Sequence, residues 1–182
     1  MVVRNCVVVV VVTLLYSVVR YNVFGTVPVS DIPTLIVNKS VSFSLVVFLL
    51  LAAVSRLKNK KEEYKRYMQL TKMFVIIHVL LSLCLLTENN FPKLFDHAKL
   101  TIAGGTAMLF GVLALLCYLY KGSKTTILIF CLFIIFHLVF IGYKGWFAIE
   151  KWNGTMPPIT LICTLLLLVI MILAITLKKK ES

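Results

Sequence analysis

Six apolar runs divide the sequence: Val2 to Val19, Thr34 to Leu57, Tyr67 to Leu86, Leu100 to Tyr120, Thr125 to Tyr143 and Ile159 to Leu177. A stretch of about 20 mostly apolar residues is what a helix needs to cross the hydrocarbon of a bilayer. In lipid a backbone has no water to bond, so such a run must close its hydrogen bonds internally, as a helix. The residues are 60% hydrophobic, with a mean hydropathy of +1.00. A soluble domain is closer to half apolar and has no interior large enough to hide the excess. The expected fold is all-α: a polytopic membrane protein, a single transmembrane domain over residues 1–182 built as a six-helix bundle. Residues 1–20 read as the first helix or an uncleaved signal anchor, because Tyr16 and Arg20 stand where a small-residue cleavage site would lie.

The net charge of +12 does not point to nucleic acid, because the basic residues sit between the apolar runs. Residues 56–66, RLKNKKEEYKR, hold six of them, and Lys121 and Lys124 lie in the next loop on the same side. With Arg4, Lys72 and Lys178 to Lys180, that side carries thirteen basic residues. The other side carries six: Arg20, Lys39, Lys93, Lys99, Lys144 and Lys151. The richer side belongs in the cytoplasm, so the chain is expected in the cell membrane with both termini inside. The outer loops hold Trp146 and Trp152, which suit the membrane interface.

The five cysteines form no CxxC pair, and the chain has no GxGxxG, P-loop or HExxH motif. Only three histidines occur, and His78 and His137 lie deep in the third and fifth runs. A polar ring in hydrocarbon is costly without a partner and often marks function. Both runs lead outward, and the two rings differ in depth by only about 3 Å at 1.5 Å per residue. Two imidazoles at one depth on facing helices can hold a haem iron from both sides. The plainer reading is a hydrogen bond across helices for each, with Ser82, one turn from His78, as a partner. Gly104, Gly105 and Gly111 leave room for close helix packing or for a flat macrocycle. His97, in FPKLFDHAK, reads as an exposed loop residue or one near the outer edge of a cofactor.

One histidine in each of helices three and five of a six-span bundle resembles the ferric reductase-like transmembrane domain family. The similarity spans about residues 33–177 and includes the basic loop between the second and third runs. The small size, without a nucleotide domain, looks most like the haem-binding membrane subunit of the bacterial methionine sulfoxide reductase system. The resemblance implies a membrane b-type haem protein that passes electrons across or out of the bilayer. It implies one haem b, with His78 and His137 as axial ligands to the iron. Family members carry a second histidine pair about 13 residues, or roughly 20 Å of helix, closer to the cytoplasm. Here Tyr64 or Lys65 and Lys124 stand at those positions, so the implied set stops at one haem. A flavin or quinone at the cytoplasmic side, near Lys65, Arg66 and Lys124, would bridge the gap. The implied partners are the lipid bilayer, a separate flavin- or nicotinamide-binding reductase or a quinol donor, and an extracytoplasmic acceptor. The alternative is a non-enzymatic membrane scaffold or complex subunit with no cofactor.

Overall fold

The computed structural model describes residues 2–119 and 124–180, with side chains at 2–119 and 125–176. The helices are α1 (Val2–Val18), α2 (Val37–Leu57), α3 (Lys61–Cys84), α4 (Ile102–Leu119), α5 (Lys124–Trp146) and α6 (Ile159–Lys180). Wider π-helical turns extend α1 over Val19–Val23 and lead into α2 over Ile32–Ile36. Six helical segments are long and apolar enough to cross a membrane, as expected from the sequence. The protein is a six-helix, multi-pass membrane protein. Valine is a poor helix former in water, yet α1 carries Val7 to Val12 without a break, because in lipid only the helix satisfies its backbone.

Helix α2 is the hub: α1, α3 and α6 pack on it, and α5 packs on both α4 and α6. Its inward stripe includes Ser40, Ser44, Phe48, Ala52 and Ser55. Small residues on such a stripe let helices approach closely where burial of oil against oil gives no driving force. Thr13 of α1 seals the contact, with its Oγ1 2.6 Å from Ser44 Oγ and 3.1 Å from Ser40 Oγ. Replacing Thr13 by valine should cost about 1 kcal/mol, the scale of an interhelical hydrogen bond in a membrane. Thermal unfolding of the detergent-solubilised protein measures this, and an unchanged midpoint would show that the cluster does not hold α1 to α2.

The basic segment 56–66 is less of a loop than the sequence suggests. Helix α2 runs to Leu57, and α3 begins at Lys61, six residues ahead of the apolar run. The reason is local: Glu62 and Glu63 suit a helix N-terminus, and Lys60–Glu63 and Lys65–Glu62 pair at 3.1 and 3.0 Å. The turn between the helices is a Schellman cap. Asn59 takes φ 56°, and Lys60 N donates to Ser55 O at 2.8 Å. At the opposite end, Phe95–Asp96 pairs with Lys99–Leu100 in a short hairpin through His97 and Ala98, both at positive φ.

Candidate functional site

The third helix carries His78 six residues before Cys84, and the fifth carries His137 nine before Trp146. At 1.5 Å per residue these are depths of about 9 and 13.5 Å from the helix ends. Helix α3 is packed mainly on α2, and α5 on α4 and α6, and no close packing of α3 on α5 occurs among the described residues.

Each ring is oriented by a neighbouring helix through the same atom. The Nδ1 of His78 lies 2.7 Å from Asn38 Oδ1 on α2. Asn38 uses its amide nitrogen to donate to Ser82 Oγ at 3.0 Å, which turns its carbonyl oxygen toward the imidazole. The Nδ1 of His137 lies 2.7 Å from the carbonyl oxygen of Ala107 on α4. A carbonyl oxygen only accepts, so Nδ1 carries the hydrogen in both rings, and Nε2 carries the lone pair. Neither Nε2 has a hydrogen-bond partner among the described residues. Both side chains are half-buried.

Gly111 explains how His137 reaches a main-chain oxygen inside a helix. A β-carbon at this position would stand 3.1 Å from His137 Nδ1 and 3.3 Å from its Cε1. The bare backbone one turn after Ala107 is therefore the seat of the ring. The other two helical glycines do different things. A β-carbon at Gly104 would run into Leu94 O, so that glycine admits the connecting loop, while Gly105 faces open space.

The remaining candidates lie apart from this pair. His97 is exposed on the hairpin, 3.8 Å from Asp96. Lys65 and Arg66 are exposed on the first turns of α3, and the side chain of Lys124 lies outside the described residues. Tyr64 is half-buried, with the Arg56 guanidinium 5.7 Å from its ring centroid. Nearby, a notch of about 230 Å³ is lined by residues that include Asn5, Ser55, Lys58 and Tyr67. Ser82 does lie close to His78 Nδ1, at 3.5 Å, but the shorter bond goes to Asn38. In the sequence Asn38 is one polar residue near the start of a span, with nothing to link it to position 78. No family model and no curated protein matches the chain.

Proposed function

We propose that the protein is a membrane b-type haem protein, similar to ferric reductase-like domains, which passes electrons across or out of the cell membrane. The reading is carried by one observation: both intramembrane histidines give their Nδ1 hydrogen to a fixed carbonyl, and neither Nε2 has a partner among the described residues. Ligating histidines characteristically have this outer hydrogen bond, which sets the tautomer and the ring direction. The described residues contain no group of three or more side chains able to hold a metal ion. A pair of imidazoles alone suits a centre that brings its own equatorial ligands, and haem is such a centre.

A haem held by His78 and His137 would supply one-electron redox chemistry. The chain itself does the rest. Asn38 and Ala107 hold the two rings in one tautomer, Gly111 gives His137 its seat, and the apolar spans exclude water. The basic end, by the positive-inside rule, faces the cytoplasm with both termini. A separate flavin- or nicotinamide-binding reductase, or a quinol, would deliver electrons there, to an acceptor outside. A flavin or quinone at the basic end is the natural relay.

Asn38→Leu should weaken haem retention roughly 10–100-fold, the usual cost of losing an outer-shell partner. Transfer of haem to apomyoglobin measures it, and an unaltered transfer rate would separate Asn38 from the site. Electron paramagnetic resonance of the oxidised protein should show low-spin ferric iron with two imidazole ligands. A high-spin signal would mean that one histidine is not a ligand.

A cofactor-free subunit is the second reading, and the same bonds favour it in part. His78 to Asn38 ties α3 to α2, and His137 to Ala107 ties α5 to α4. It gives no purpose to the two Nε2 atoms that lack a partner among the described residues.

A further inference from the structure

Arg20 is the one arginine of the spans that the bundle buries. It lies in the π-helical turn that ends α1, and only 5% of its surface is exposed. Its Nε and Nη1 are buried without a hydrogen-bond partner, and no acidic side chain pairs with it among the described residues. An arginine cannot shed its proton to escape this. Its guanidinium carbon lies 5.4 Å from the ring centroid of Tyr21. Lys39 of α2 places its ammonium 4.7 Å from the same centroid. Two cations thus share one ring. A cation–π contact offsets only part of the cost of desolvating a charge, and here the second cation adds repulsion.

Two positive charges brought together at a helix end, one of them buried with idle donors, are what an anion requires. We propose that Arg20 and Lys39 form a binding site for one phosphate group at the end of the bundle where α1 meets α2. Arg20 offers the planar fork that matches phosphate oxygens, and Lys39, on a flexible stem, offers a point charge. Arg20 lies three residues before Val23, the end of the first span, which is the level of lipid headgroups. The phosphate is that of an anionic phospholipid or a soluble phosphate ion. The proposal does not depend on the haem reading, because neither residue is a ligand to the iron there.

The test uses the full chain in nanodiscs of phosphatidylcholine alone, or with one third phosphatidylglycerol. Phosphatidylglycerol should raise the unfolding midpoint by roughly 5–10 °C, the shift for a ligand near a hundred times its Kd in a chain this size. Arg20→Met and Lys39→Met should each lose most of that rise, while Lys58→Met at the other end keeps it. Native mass spectrometry should show one retained phosphatidylglycerol, lost in both variants. A rise produced by 10 mM inorganic phosphate in phosphatidylcholine discs, and lost in the same variants, identifies the soluble ion as the source. If Arg20→Met does not fold, Lys39→Met and the mass spectra decide alone. Shifts equal in wild type and Lys39→Met, with no retained lipid, would overturn the proposal.

Discussion

Replacing His78 or His137 by alanine should abolish bound haem in the purified protein. The loss should be nearly complete for either variant, because one imidazole retains haem far less well than two. Neither change should unfold the bundle. In His78→Ala, Asn38 keeps its bond to Ser82. In His137→Ala, the Ala107 carbonyl remains in the interior of α4. Each variant forfeits one interhelical bond, about 1 kcal/mol or less in a membrane. The measurement is haem per chain, with circular dichroism to confirm helix content. Added imidazole should restore binding, because the space vacated by the ring is the size of the rescuing molecule. Folded variants that keep full haem would remove His78 and His137 from the role of ligands.

A second large effect is expected at a residue that touches no iron. Gly111→Leu fills the space occupied by the His137 ring, since even a β-carbon would stand 3.1 Å from Nδ1. The ring must leave Ala107 O and turn its Nε2 away from its present direction. Haem content should fall at least tenfold, in line with the cost of disturbing a ligand's support. Gly105→Leu is the control, because nothing lies within 4 Å of a β-carbon there. Equal haem content in Gly111→Leu and wild type would show that the contact with α4 does not orient the ligand.

The architecture was legible because lipid leaves a chain few choices. Runs of apolar residues with charged breaks define helices in order, and all six appear at the expected places. The ends were less legible. Lys61 to Arg66 extend α3 because acidic residues at its start and charged pairs three residues apart favour helix, a local effect that hydropathy does not register. The hairpin at Phe95–Leu100 was hidden because its turn uses His97 and Ala98 at positive φ, where asparagine and glycine are the usual signals.

The histidines stood out by type, since a polar ring in an apolar run is rare. Their supports did not. Asn38 is 40 residues from His78 and Ala107 30 from His137, and one of the two contributes only a main-chain oxygen. Gly111 suits close packing or a flat macrocycle equally in the sequence, and nothing there ties it to the His137 ring that lies on it. Arg20 read as an orientation charge, and only its burial sets it apart from the other five basic residues on that side.

Whether the bundle holds haem is decided by the absorption spectrum of the protein purified after haem-replete expression, oxidised and then reduced with dithionite. The expected result is a Soret band that shifts on reduction, a sharp b-type α-band, and one haem per chain by the pyridine assay. A folded protein with no Soret band would contradict it.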